Sequence, residues 1–246
     1  MMRLNQTGSK IFNIDSFGHF FRYGGGSKGA YDSLNFSLSV GDCEKAVLEN
    51  RKRAAESLGF SRYVVAGIVH GAIVAHVTDE SPEIAGGCDG LITDVPGIAL
   101  MATNADCQVA LFYDPVKKAV GAVHAGWRGQ VANIYAETVR RMGEVFGSRP
   151  KDLRVSISPS LGPARAEFVN YRKELPKCFW RFQVRPNFFD LWAVAKWQLM
   201  QVNILEKNIA LTQICSYDNP EKCFSYRRDG KKSGRNASII GIKNLT

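Results

Sequence analysis

Through the middle of the chain, short uninterrupted apolar runs alternate with polar or glycine-marked breaks. The runs are Tyr63–His70 (YVVAGIVH), Ala72–Thr78 (AIVAHVT), Ile98–Thr103, Val109–Tyr113 and Ala119–His124. Apolar character over so few residues predicts strands. Gly71 parts the first two, and Gly86-Gly87-Cys88-Asp89-Gly90 forms a loop before Leu91-Ile92-Thr93. Asp114–Lys118 is a polar turn. Phe17–Tyr23 reads as an earlier strand. It runs into Gly24–Gly29, a loop because so many glycines would melt a strand or helix. The Gly-Lys-Ser/Thr order of a phosphate-binding loop is missing there, so the segment is either a surface loop or one that covers a substrate. Tyr31–Leu38 continues as irregular, partly extended chain. Leu153–Ile157, Ile209–Cys215, Cys223–Arg227 and Ala237–Ile242 read as late strands.

Three stretches have helical period. Asp42 is placed to cap a helix through Leu58, with Val47, Leu48, Ala54, Ala55 and Leu58 apolar and Gly59 as the stop. Asn50 and Arg51, being polar in mid-helix, are expected to face water. Val131, Ile134, Tyr135, Val139, Met142, Val145 and Phe146 predict a helix that opens near Gly129 and ends at Gly147. Pro186 precedes a third, with Phe189, Leu191, Trp192, Ala195, Leu199 and Val202 on its apolar side. Strands and helices intermix, which points to a mixed α/β or α+β sandwich.

Composition narrows this picture modestly. With 246 residues and 45% hydrophobic content the chain can bury a large core, as one domain or two small ones. No apolar run approaches the roughly 20 residues that span a bilayer, and the opening MMRLNQTGSKIFNIDSF has no secretory pattern. Cys43, Cys88, Cys107, Cys178, Cys215 and Cys223 include no C-x-x-C pair, so the thiols are expected to be reduced and the compartment cytoplasmic. The net charge of +9 suits nucleic acid, anionic small substrates or solubility alone. Lys and Arg are spread along the chain, densest at Arg227-Arg228 and Lys231-Lys232, with no nucleic-acid-binding signature. Neither a nucleic acid nor a membrane is therefore expected as a partner.

The chain has only four histidines, and His70 and His124 stand beside glycine breaks at strand ends, while Cys107 just precedes a strand. Two imidazoles and a thiolate from separate strands, with one position open, are what catalytic zinc commonly has. Their wide separation along the chain leaves buried structural His and Cys as the alternative. His76, inside a strand, reads as structural. After His124 a glycine-flanked turn carries Arg128 into a helix, an arrangement suited to an anion beside a metal.

These residues also carry a resemblance. His70-Gly71, Asn104-Ala105-Asp106-Cys107 and His124-Ala125-Gly126-Trp127-Arg128-Gly129 resemble the signature motifs of one family. Its members are labelled multicopper polyphenol oxidase (laccase-domain) proteins, purine nucleoside phosphorylases or peptidoglycan editing factors. Tyr23–Leu38, Glu49-Asn50-Arg51, Cys88–Thr93, Phe224–Gly230 and Gly234-Arg235 match further motifs, so the similarity covers nearly the whole chain. It implies a single domain over residues 1–246, of α/β (α+β) class. The implied fold is a layered mixed-sheet sandwich flanked by helices, YfiH-like.

Carried over by motif, His70, Cys107 and His124 would hold Zn2+, with copper the lesser alternative. The implied activity is phosphorolysis of adenosine, inosine and methylthioadenosine, with adenosine deamination as a side reaction. The partners are then a purine nucleoside and phosphate, and the state a monomer or small homo-oligomer. Arg128 and the helix after it would hold phosphate. Asp106 would orient a ligand or accept a proton, unless it only caps a strand end. Asn35, Arg51 and Arg227 are substrate-binding candidates, and Trp127 and Tyr31 could stack on a purine.

The chain departs from the pattern at Asn104, usually Thr, and at Val109, often Pro. In Ile157–Phe168, Ser158 replaces a glycine and Arg165-Ala166 a Cys-Tyr pair. The metal trio is untouched; substrate range is what these changes bear on. Arg165, if it enters the pocket, would favour phosphorylated or acidic ligands. Four histidines are too few for a multicopper cluster. Two other readings compete: a hydrolase editing peptidoglycan precursors, and a non-catalytic metal-stabilised nucleotide-binding domain.

Overall fold

The computed structural model describes residues 6–7, 10–12, 14 and 16–244; much of the opening segment inspected for a secretory pattern lies outside them. In its first half the chain runs through β1 (Gln6–Thr7), β2 (Phe17–Phe20), α1 (Glu44–Ser57), β3 (Arg62–Gly67), β4 (Val74–His76), β5 (Ile84–Gly86), β6 (Gly90–Thr93), β7 (Ile98–Asn104), β8 (Gln108–Asp114) and β9 (Ala119–Ala125). There follow α2 (Trp127–Val131), α3 (Ile134–Phe146), β10 (Arg154–Ile157), α4 (Tyr171–Glu174), β11 (Gln183–Arg185), β12 (Phe188–Phe189), α5 (Leu191–Gln201), β13 (Ile209–Leu211), α6 (Tyr226–Asp229) and β14 (Asn236–Gly241).

Two six-stranded mixed sheets stack, one in the order β1-β2-β14-β7-β3-β5 and the other β13-β10-β8-β9-β6-β4. Leu100 and Ala102 of β7 meet Val109 and Leu111 of β8, and Val120 and Ala122 of β9, in the core between them. The alternate residues Ala99 and Met101 face outward against Ala54 and Ala55 of α1 and Leu58 at its C-terminal cap. On the other side Ala110 and Phe112 pack on Tyr135, Val139 and Met142 of α3 and on Leu199 of α5. The result is a helix–sheet–sheet–helix sandwich. Covering both faces of each central strand is why those strands read as continuous apolar runs rather than alternating ones. One polar group bridges the sheets: His19 of β2 pairs with Ser238 Oγ at 2.7 Å on its own sheet and with Ser156 Oγ at 2.9 Å across the interface.

Several predicted elements move. Asp42 lies one residue before the cap: Cys43 takes the cap position and Asp42 Oδ1 accepts the Cys43 N–H. The helix expected after Gly129 is two helices, broken at Asn133, which takes a left-handed φ of 56° and caps α3 through its side chain. The third helix starts after Asp190 rather than Pro186, because Phe188–Phe189 pairs as a short strand with Gln183–Arg185 first. Cys223–Arg227 is no strand. Ser225 caps α6 by accepting the Arg228 N–H, and a side-chain cap there wins over the β-favouring Phe224-Ser225-Tyr226 run. The expectation that Asn50 and Arg51 face water also fails, for both are buried.

Candidate metal centre

β3, β5 and β7 run parallel to one another, so their carboxyl ends meet at one end of the sandwich. At that end each strand hands the chain over to the second sheet. The β3–β4 passage carries His70, the β5–β6 passage carries Asp89, and the β7–β8 passage carries Asp106 and Cys107. His124, the penultimate residue of β9, arrives from the second sheet opposite Val109. The donor atoms of His70, Cys107 and His124 all lie within 4.8 Å of one another. The imidazole rings stand edge-on, centroids 5.0 Å apart. His70 and Asp106 both take left-handed φ, 61° and 85°, a strain that clusters where function over-determines the backbone.

Asp89 organises the triad. Its side chain is fully buried; Oδ1 accepts the His70 N–H and Oδ2 the Gly71 N–H, each at 2.7 Å. Oδ1 also lies 3.1 Å from His124 Nδ1. That contact makes Nδ1 the donor and leaves Nε2 free to ligate. Burial pushes the Asp89 carboxyl up, but these bonds outweigh it and hold it below the usual carboxylate range. Burial likewise raises the Cys107 thiol, yet the charge of His124 and hydrogen bonds from both histidines bring it down to about 6. His124 is pushed down by burial and up, to about 9, by Cys107 and Asp89. Cys107 and His124 thus each favour the charged form of the other, and an incoming cation would displace the proton held between them.

The residues fit an ion. An imidazole–imidazole–thiolate set is one that holds a zinc or copper ion, with a corner left open. Gly126 leaves the space for it, since a Cβ there would stand 3.1 Å from Cys107 Sγ, 3.4 Å from His70 Cδ2 and 3.5 Å from His124 Cε1. The triad opens into a cleft of about 800 Å³ also lined by Asp106, Arg51, Arg227, Arg235, Trp127 and Gln130.

The expected site residues divide on this geometry. Asp106 lines the cleft with Oδ1 accepting Ser216 Oγ–H at 2.7 Å and Oδ2 accepting the Arg227 N–H at 2.6 Å. Arg227 lines it too, exposed, its Nη2 donating to Glu167 O. Arg128 does not line it. Gly129 and Gln130 take the buried side of α2, and the Arg128 guanidinium lies exposed over the Trp127 ring, 4.1 Å from its centroid. Asn35 is buried outside the cleft with its amide spent: Nδ2 donates to Ser37 O and Asp42 Oδ2, and Oδ1 accepts from Ser37 N and Arg235 N. Tyr31 gives its hydroxyl proton to Val40 O and also lies outside, whereas Trp127 lines the cleft. Arg165 pairs with Asp218 at 2.7 Å and stays out.

The glycine-rich segment is no cover over the cleft. Its amides bond to Ser33 Oγ and Asn50 Oδ1, and Gly25 passes so close to Ser33 O that a Cβ would stand 2.2 Å from it. Two departures from the family pattern prove to be neighbours: Asn104 Nδ2 lies 3.4 Å from Ser158 Oγ and also donates to Cys107 O. Asp89 and Arg235 are the residues missed as site members, although both sit inside motifs visible in the sequence.

The geometry has relatives. Residues 16–243 match the family model described as multi-copper polyphenol oxidoreductase laccase. A protein of Bacteroides thetaiotaomicron named purine nucleoside phosphorylase is 31% identical over 94% of either chain. Purine nucleoside phosphorylase YlmD of Geobacillus stearothermophilus is 33% identical over 89% of this chain and 87% of its own. The crystal structure of YlmD from Geobacillus stearothermophilus superposes with a TM-score of 0.86 at 31% identity, covering 97% of this chain and 96% of that one. With the family model spanning nearly the whole length and the fold shared, the chain belongs to the multi-copper polyphenol oxidoreductase laccase family, among relatives named purine nucleoside phosphorylase.

Proposed function

We propose that this protein is a zinc-dependent purine nucleoside phosphorylase acting on adenosine, inosine and methylthioadenosine, with adenosine deamination as a side reaction. The observation that carries the reading is the open His70–Cys107–His124 triad at the head of a nucleoside-sized cleft that also contains three arginines. Phosphorolysis joins a phosphate oxygen to C1′ as the C1′–N9 bond breaks, and a proton must reach the departing base. Asp106, its carboxylate aimed by Ser216 and the Arg227 amide, is the candidate to relay that proton. Trp127, walled by Phe168 at a ring distance of 6.0 Å, offers an aromatic surface to a purine. When bound, the ion supplies Lewis acidity, on which phosphate and, in the side reaction, water at C6 of adenine would draw.

Zinc is favoured over a copper cluster because the donor set is one triad and the chain has four histidines in all. The test is inosine with and without inorganic phosphate on protein of measured metal content. Phosphate-dependent release of hypoxanthine and ribose 1-phosphate is expected; phosphate-independent turnover, or none in zinc-replete protein, rejects the reading.

A further inference from the structure

One deeply buried cation in the cleft has no ion-pair partner among the described residues. Arg51, in the middle of α1, is 4% exposed, and its Nε donates to Phe36 O at 2.8 Å. Its Nη1 is buried with no partner. No carboxylate among the described residues forms an ion pair with it; Tyr63 and Glu83 act only at longer range. A guanidinium does not shed its proton to escape such a place, and a buried unpaired charge is among the costliest features a fold can keep. The side chain nonetheless lines the same cleft as the triad.

A second arginine hangs from the same segment. Arg235 donates its backbone N–H to Asn35 Oδ1, and its carbonyl accepts the Phe36 N–H. Arg51 Nε grips the Phe36 carbonyl, so residues 35 and 36 set both arginines in place. Arg235 Nη1 bonds only to the carbonyls of Ser233 and Gly234. Its guanidinium stands over the Tyr226 ring, 5.7 Å from the centroid. Tyr226 precedes Arg227, whose amide bonds Asp106 next to Cys107, so Arg235 lines the cleft on the side of the triad. Asp106 already accepts from Ser216 and the Arg227 amide.

We infer that Arg51 and Arg235 form the seat of a phosphate group, with the free Arg51 Nη1 donating to its oxygens and Arg235 closing on it from the side of the triad. Planar guanidinium groups match phosphate oxygens in both charge and geometry. The inference rests on the phosphorylase reading only for the source of that group, which is free phosphate if phosphorolysis holds and the 5′-phosphate of a nucleotide otherwise. Asn35, whose amide aligns Arg235, then serves as a positioning residue.

The test is calorimetric titration of zinc-loaded protein with inorganic phosphate and, separately, with adenosine 5′-monophosphate, for the parent, Arg51→Gln, Arg51→Lys and Arg235→Gln. Loss of charge-assisted bonds weakens binding by about 10- to 100-fold. That loss is expected in Arg51→Gln and Arg235→Gln, with partial recovery in Arg51→Lys. Because Arg51 is an unpaired buried charge, Arg51→Gln is also expected to melt no lower than the parent in phosphate-free buffer, which a merely structural arginine would not allow. Weakened phosphate binding assigns the seat to free phosphate; weakening confined to the monophosphate assigns it to a nucleotide. Equal binding of both probes by parent and variants, or no binding by the parent, overturns the inference. Should Arg51→Gln fail to fold, Arg235→Gln and Arg51→Lys decide by the same criterion. Phosphate binding without phosphate-dependent hypoxanthine release removes the phosphorylase reading and leaves the seat.

Discussion

Replacing Gly126 by alanine adds a single methyl group at the place where the triad needs room. Gly126 has φ −70° and ψ 169°, a conformation any L-residue adopts, so the backbone is indifferent and the effect is purely steric. The new Cβ would stand 3.1 Å from Cys107 Sγ, with His70 and His124 ring carbons at 3.4 and 3.5 Å. Comfortable contacts to carbon lie at about 3.5–4.0 Å, so the sulfur must retreat by a few tenths of an ångström. Metal–ligand distances tolerate only about 0.2 Å. Zinc affinity should therefore fall by about 10- to 100-fold, the usual result of disturbing the shell around a site. The metal-free protein should be unharmed, or more stable by up to about 1 kcal/mol, because alanine restricts the unfolded chain. Chelator competition on purified protein measures the first quantity and urea unfolding of the metal-free form the second. Zinc affinity equal to that of the parent would refute the assignment of this space to an ion.

Cys107→Ala should lose metal and activity together; stoichiometric zinc in that variant rejects the triad. Asp89→Asn removes the charge that two backbone amides and His124 share and should destabilise the protein by about 2 kcal/mol or more at neutral pH. Since the folded carboxyl sits below its ordinary range, that contribution is complete above the unfolded value and fades as pH falls through the folded one. Parent and variant should thus converge in acid, and denaturant titrations that stay parallel down to acid pH would argue otherwise. Burial lowers His19 from 6.5 to about 3. The folded chain keeps this imidazole neutral while the unfolded chain protonates it below 6.5, so stability should drop by about 1.4 kcal/mol per pH unit as pH falls from 6.5 towards 3. His19→Gln should flatten that slope, as unfolding at pH 4, 5 and 7 would report.

Position at strand ends made the triad a candidate beside buried structural His and Cys, and it was the resemblance of the three motifs around His70, Cys107 and His124 that made it legible. Arg51 was legible too, but its chemistry misled. Val47, Asn50, Arg51, Ala54, Ala55 and Leu58 fall on one 3.6-residue stripe, and all six are buried. Polarity argued for water while period argued for the interior, and period was right. Asn50 is inside because it ties Gly26, Ser27 and Asn35 together, a duty only the tertiary fold creates. Arg128 goes the other way: its motif position suggested the site, while α2 turns Gly129 and Gln130 inward and leaves the Arg128 guanidinium over Trp127, outside the cleft lining. Phe224-Ser225-Tyr226 has strand-like residues, and a serine cap decided for a helical turn. The Asn104–Ser158 contact joins positions remote in sequence, and nothing local announces it.

His70, Asp89 and Cys107 occupy successive hand-overs of the chain from one sheet to the other, and His124 belongs to the receiving sheet. An ion held there is thus also a rivet through the joint between the layers. At a free concentration one hundred times its dissociation constant such a ligand adds about 2.7 kcal/mol to the folded state. Stripping the rivet should loosen this rim before the far one, and amide hydrogen exchange at residues 68–73 and 105–107 should speed up first. Catalytic competence and the mechanical closure of the sandwich would then be lost in the same event.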